Sequence, residues 1–167
     1  MLIQIKTLLF YIKYPIIVRV FLLSRKRYIY IKQDNMTSKV TYLGDLRTEN
    51  VHLKSGNNYI TDAPTDNQGK GEAFSPTDTV ATGLASCMLT IMGIKANQMD
   101  VSIKGTVATV TKTMSANPRR ISKIKVEFDF PNPMDAKSQK ILEHTANTCP
   151  VHYSLHPDIE KEVLFNW

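Results

Sequence analysis

The sequence has only two cysteines, Cys87 and Cys149, and its four histidines do not cluster with acids at the spacing of metal ligands. Two cysteines cannot build a disulfide scaffold, and without a ligand cluster we expect no metal site. A signal peptide is not apparent either, because the apolar residues near the N-terminus lead into a basic run, residues 24–28, instead of small residues. These features predict a cytoplasmic protein with reduced thiols.

Residues 1–35 lack glycine, alanine and glutamate, and they lack an uncharged apolar run long enough to span a membrane. They hold seven Lys or Arg and one acid, which accounts for the whole net charge of +6. Since the rest of the chain is neutral, charge gives no reason to expect a nucleic-acid partner. We interpret residues 1–35 as an extension read from upstream of a natural start at Met36, and the alternative is a basic segment on a membrane surface. Residues 36–167 then form a single domain.

The longest apolar stretch of the main body, residues 71–99, predicts a central helix. Ser75 suits the N-cap, Pro76 the first helical position, and Asp78 the positive end of the helix dipole. Apolar side chains recur at steps of three and four with a thiol in their middle, and we expect this face to be buried. They are Val80, Leu84, Cys87, Ile91 and Ile94.

Short β-prone runs surround this helix. Three lie within residues 39–61, a fourth covers 101–114 with a bulge or a bend expected at Val107 and Ala108, and a fifth alternates apolar and polar residues over 124–130. A second helix, a short third helix and a closing strand follow. This order predicts an α+β domain in which an antiparallel sheet wraps around a buried central helix.

The two thiols allow more than one interpretation. A free cysteine on an apolar helical face most often fills the core, as Cys87 could. Cys149 precedes Pro150, which predicts a helix N-cap, where a thiolate is stabilised. A two-cysteine peroxidase needs a thiolate that becomes a sulfenic acid, a second thiol that resolves it, a cation near the first sulfur and an acid that holds this cation.

Several motifs together resemble the OsmC/Ohr family of peroxide-reducing proteins. They are the Pro76-Thr77-Asp78 element, the Ala85-Ser86-Cys87-Met88 segment of the central helix, the Cys149-Pro150-Val151 helix start and the Gly69-Lys70-Gly71 loop. The resemblance covers residues 38–167. It implies an intertwined homodimer with central helices packed back to back and two active sites at the subunit interface.

The resemblance also implies a role for individual residues. Cys87 would be the peroxidatic thiol and Cys149 the resolving thiol, while Arg47 would stabilise the thiolate and bind the peroxide. The family commonly places a glutamate where this chain has Thr77. We therefore expect Glu72, or alternatively Asp78, to pair with the arginine.

The predicted substrate pocket is apolar and suits an alkyl hydroperoxide better than hydrogen peroxide. It would consist of a neighbour's side chains together with Val80, Leu84, Met88 and Ile91. The resemblance implies that no cofactor is needed and that electrons come from a dithiol or from a lipoylated protein.

Three functions follow from these observations. The first is a thiol-dependent peroxidase that reduces organic hydroperoxides in oxidative stress defence through a Cys87–Cys149 disulfide, and whether it also uses hydrogen peroxide stays open at this point. The second, motivated by Thr77, is a non-catalytic protein of the same fold that binds a small apolar ligand. The third is a hydrolase that uses Cys149 with His152, although no residue that would orient the histidine is identifiable.

Overall fold

A computed structural model describes residues 36–167, so the interpretation of residues 1–35 lies outside the described part of the chain. Six strands and three α-helices follow one another in an order that confirms the α+β prediction. The elements are β1 (Ser38–Gly44), β2 (Arg47–His52), β3 (Asn58–Asp62), α1 (Pro76–Gln98), β4 (Val107–Ala116), β5 (Arg119–Asp129), α2 (Ala136–Asn147), α3 (Pro150–Ser154) and β6 (Glu160–Asn166). A short 3₁₀ turn, Thr65–Asn67, lies in the loop between β3 and α1.

The strands form two separate three-stranded sheets, in the orders β1-β2-β3 and β4-β5-β6. The first sheet is antiparallel throughout, as predicted. The second differs from the prediction because β6 runs parallel to β5. Two helices separate these strands, and such a crossover allows the chain to return in the same direction.

The fourth strand begins later than the sequence predicted. Residues 101–106 contain a turn in which Gly105 has a φ of +90°, and β4 starts only at Val107. The change of alternation near Val107 therefore marks the start of the strand and not a bulge. A register shift does occur in the pairing of β4 with β5, but it lies between Thr113 and Met114.

Helix α1 begins as predicted. Ser75 and Asp78 form a reciprocal capping box, in which each side chain accepts a hydrogen bond from the other residue's backbone N–H, and Pro76 occupies the first turn. These local contacts satisfy backbone donors that a helix start otherwise leaves unpaired.

The buried face of α1 matches the predicted one only in part. Leu84, Met88 and Met92 are fully buried, whereas Val80 and Ile94 are 43% and 56% exposed. The helix is apolar on nearly every side, so periodicity alone could not show which face turns inward. By length and composition α1 could also cross a membrane, but its inner face packs into the core of this domain.

The core lies between α1, the second sheet and α2. Ile124, Val126 and Phe128 point inward from β5, as their alternation with charged residues predicted, and all three are fully buried. Leu142 and Ala146 of α2 cover another side. Cys149 belongs to this core, and Cys87 packs against it.

Candidate active site

The two cysteines lie on different helices and differ in exposure. Cys87 lies in the middle of α1 and is half-buried. Cys149 directly precedes α3 and is fully buried. Both thiols are free, and they are not close enough to form a disulfide. Burial raises the pKa of Cys149, and the neighbouring Cys87 thiol raises it further.

Cys149 is the N-cap of α3, as the following proline predicted. Its Sγ accepts a hydrogen bond from the backbone N–H of His152 at 3.2 Å. Burial is the largest influence on the pKa of Cys149 and raises it, and it outweighs the backbone hydrogen bonds of His152 and Val151, which lower this pKa as an N-cap predicts. Cys149 is therefore a protected neutral thiol.

Arg47 opens β2 and has two carboxylate partners. Its Nη2 forms ion pairs with Glu72, from the loop before α1, and with Asp62, at 3.4 Å. Glu72 and then Asp62 raise the pKa of Arg47, which keeps the guanidinium charged. Within residues 36–167 Arg47 makes no hydrogen bond to either cysteine.

Asp62 is the residue that sequence reasoning missed. It is the last residue of β3, directly opposite Arg47 in the β2–β3 register, and its side chain is fully buried. Its Oδ2 accepts the backbone N–H of Glu72 at 2.9 Å, and this bond is the largest cause that lowers the pKa of Asp62. In the sequence, Asp62 follows a β-prone run and begins a segment whose composition is typical of a loop, so nothing marked it as a partner of Arg47.

The alternative acid, Asp78, has another partner. Its carboxylate lies 2.7 Å from Nζ of Lys112 on β4. Lys112 also donates to the hydroxyls of Thr77 at 2.7 Å and Ser75 at 3.3 Å. Burial raises the pKa of Asp78, but the hydrogen bonds from Lys112 and Ser75 outweigh it and lower the pKa. Thr77 thus belongs to the lysine cluster, formed by Lys112, Asp78, Thr77 and Ser75. It does not belong to the arginine cluster, formed by Arg47, Asp62 and Glu72.

In the described part of the chain, the four predicted pocket residues differ in burial. Leu84 and Met88 are fully buried in the core, Ile91 is half-buried against it, and Val80 is exposed. A cavity of about 450 Å³ lies beside the first turns of α1 and includes Glu72, Asp78 and Lys112. The role of the four residues stays a prediction.

The geometry does not favour a hydrolase that uses Cys149 with His152. The imidazole of His152 makes no hydrogen bond to the Cys149 thiol among residues 36–167, and its Nδ1 is buried without a partner there. Burial, and then Lys161, lower the pKa of His152. In the same part of the chain, no three His, Cys, Asp or Glu side chains come together as metal ligands would.

Solved structures resemble this domain over most of its length. A structure from Psychrobacter arcticus 273-4, assigned provisionally to the osmotic stress and detoxification response, is 60% identical, with a TM-score of 0.78 over 80% of this chain and 98% of that chain. An organic hydroperoxide resistance protein OsmC from Legionella pneumophila is 15% identical, with a TM-score of 0.64 over 80% and 98% of the two chains.

An OsmC-like protein from Mycoplasma pneumoniae is 18% identical, with a TM-score of 0.63 over 78% of this chain and 96% of that chain. At such identities the last two structures show a shared fold alone. Among curated proteins there is no match. The family model for OsmC-like proteins matches residues 69–163, which include Glu72 and both cysteines. More than half of the chain fits this model, and the chain therefore belongs to the OsmC-like protein family.

Proposed function

We propose that this protein is a thiol-dependent peroxidase that reduces organic hydroperoxides and contributes to peroxide resistance under stress. The observation that supports it best is the contrast between the two neighbouring thiols. Cys87 is half-buried and can be reached, while Cys149 is fully buried with a raised pKa. Accessibility suits Cys87 for attack on a peroxide, and protection suits Cys149 for the later resolving step.

The proposed cycle balances without a metal or an organic cofactor. The Cys87 thiolate attacks the O–O bond of a hydroperoxide, and with one proton this gives an alcohol and the Cys87 sulfenic acid. The Cys149 thiol then displaces water from this sulfenic acid and forms the disulfide. An external dithiol, free or carried as a protein-bound lipoyl group, reduces the disulfide back to two thiols. Because the two sulfurs are not within bonding distance, they must approach each other in the second step.

The mass of the protein, alkylated under denaturing conditions after one equivalent of cumene hydroperoxide, tests this cycle. Wild type should lose both alkylatable thiols, and Cys149→Ser should lose that of Cys87 alone. Cys87→Ser is the matched control, in which Cys149 should stay alkylatable because it is buried. Two free thiols in treated wild type would show that the peroxidase proposal is wrong.

The working form that we propose is a homodimer. The outward face of α1 exposes Val80 and Ile94, and a Cβ at Gly83 would meet no atom of the chain within 4 Å. The first sheet likewise exposes large apolar side chains, among them Val40 and Tyr42. A second copy that covers these surfaces would bury apolar area and could bring its Arg47 to Cys87.

Light scattering on the purified protein tests the dimer. Wild type should have twice the mass of one chain, and Gly83→Leu should be a monomer because its side chain would occupy the space of the second helix. Lys140→Leu, at an exposed position of α2, is the control and should remain a dimer. A dimeric Gly83→Leu variant would contradict the packing of central helices back to back.

A further inference from the structure

The arginine cluster contains an acid whose burial sets it apart. Asp62 and Glu72 both pair with Nη2 of Arg47, yet the Asp62 side chain is 0% exposed and that of Glu72 is 60% exposed. A buried carboxylate cannot exchange its partners for water without a large cost. An exposed carboxylate can turn into solvent at little cost, since exposed ion pairs contribute about 0–1 kcal/mol.

Asp62 is tied to the site through its backbone and its side chain. Its N–H donates to the carbonyl oxygen of Phe74 at 3.0 Å, and its Oδ2 accepts the N–H of Glu72 at 2.9 Å. Its position opposite Arg47 in the sheet register places the carboxylate beside the guanidinium. Asp62 therefore fixes two things at once, the loop that carries Glu72 and the side chain of Arg47.

The guanidinium itself is held at one end only. Nη2 makes both carboxylate contacts, while Nε is buried and has no hydrogen-bond partner among residues 36–167. The side chain of Arg47 is 30% exposed. If Glu72 turns away, Asp62 is the contact in this part of the chain that still orients Arg47.

We infer that Asp62 is a positioning residue for Arg47: it holds the guanidinium in place while Glu72 is the partner that a thiolate or a peroxide oxygen replaces. This inference rests on the proposed peroxidase function. The hydrogen bond from Glu72 and the charge of Arg47 lower the pKa of Asp62, so the carboxylate is ionised at neutral pH. Asp62 thus stays a charged partner of Arg47, and Glu72 is the partner that can be replaced.

A double-mutant cycle on peroxidase activity tests the inference. Asp62→Asn keeps the shape of the side chain and an acceptor for the Glu72 N–H, but removes the charge that holds Arg47. We expect kcat/KM for cumene hydroperoxide to fall by about 10- to 100-fold, the range that misplacement of a reacting group produces. In Arg47→Met, the further change Asp62→Asn should have no effect on kcat/KM. Asp66→Asn, at an exposed acid paired with Arg119, should match wild type.

Additive losses in the cycle would overturn the inference, because Asp62 would then act on the fold and not through Arg47. A second readout does not depend on activity. The Nε–H of Arg47 is buried, so nitrogen-15 NMR should detect slow exchange of its proton with water. We expect this exchange to become at least about tenfold faster in Asp62→Asn and to stay unchanged in Glu72→Gln.

These outcomes separate the two proposals. An inactive wild type in which only Asp62→Asn speeds the exchange would refute the peroxidase and support Asp62 as the residue that positions Arg47. Equal acceleration in Asp62→Asn and Glu72→Gln would show that Asp62 has no special role, whatever the activity.

Discussion

Two cationic clusters lie next to the segment that leads into α1, and they use their hydrogen bonds differently. Lys112 has three donors and three oxygen partners, on Asp78, Thr77 and Ser75, so its ammonium is saturated. Arg47 has five donors, and within residues 36–167 its two partners, Asp62 and Glu72, share a single nitrogen.

The difference separates a structural cluster from a candidate reactive one. A saturated, half-buried cation such as Lys112 has no donor left for a ligand, and it connects the start of α1 to β4. Unsatisfied polar atoms in a buried place are uncommon and call for an explanation, such as catalysis. Arg47 Nε and Asp62 Oδ1 are two such atoms in the described part of the chain. We therefore expect changes in the Arg47 cluster to affect activity and changes in the Lys112 cluster to affect stability.

The largest expected effect comes from removing each cation. Arg47→Met should lower kcat/KM for cumene hydroperoxide by about 100- to 1000-fold, the usual loss when a donor to a developing charge is removed. Lys112→Met should leave kcat/KM of the folded enzyme unchanged. It should lower the free energy of unfolding by about 1 kcal/mol, a modest value because the Asp78 side chain remains 39% exposed. Steady-state kinetics and urea unfolding on both variants measure these two effects. An inactive but stable Lys112→Met variant would contradict the structural role of the lysine cluster.

A smaller effect should follow from moving the loop that presents Glu72. A Cβ on Gly69 would lie 1.7 Å from the carbonyl oxygen of Ala63, so Gly69→Ala must displace the loop. Displacement pulls the Glu72 N–H from Asp62, and we expect kcat/KM to fall by about tenfold or more. Lys70→Ala, an exposed change one residue away, is the matched control and should be neutral. Normal activity in Gly69→Ala would mean that the loop does not position the arginine cluster.

The sequence predicts the parts of this molecule that depend on neighbours in the chain. The cap of α1 at Ser75 and the N-cap at Cys149 need only local residue types, and both are confirmed. The buried face of α1 could not be predicted, since apolar residues surround the helix and the choice depends on what packs against it.

Asp62 illustrates a second limit of sequence reasoning. Its pairing with Arg47 depends on the register between β2 and β3, and the loop after β3 then brings Glu72 back to the same carboxylate. Register depends on turn geometry and on the burial of each strand face, neither of which is visible in the residue types alone. The raised pKa of Cys149 could not be predicted for the same reason, because it depends on the packing of the thiol in the core.

Exchanging one acid in each cluster should have a modest effect. Glu72→Gln removes an exposed partner of Arg47 while Asp62 remains, and we expect a loss in kcat/KM of up to about fivefold, equivalent to about 1 kcal/mol. Asp78→Asn should leave kcat/KM unchanged and lower the melting temperature slightly, since Asn can still accept from Ser75. A larger loss of activity in Glu72→Gln than in Asp62→Asn would reverse the roles that we give to the two acids.

The smallest effect concerns stability in acid. The pKa values of Asp62 and Asp78 are both lowered from 3.8 in the folded state, so the unfolded chain binds protons first as the pH falls. The stability that each acid contributes is complete above pH 3.8 and is lost as the pH falls through its folded pKa. Urea unfolding from pH 5 to pH 2 should therefore show a shallower decline in Asp62→Asn and in Asp78→Asn. Because the hydrogen bonds of the two acids involve no common residue, the double variant should show the sum of both changes to within about 0.5 kcal/mol. A larger deviation would mean that the arginine and lysine clusters are coupled, and that their different uses of hydrogen bonds belong to one network.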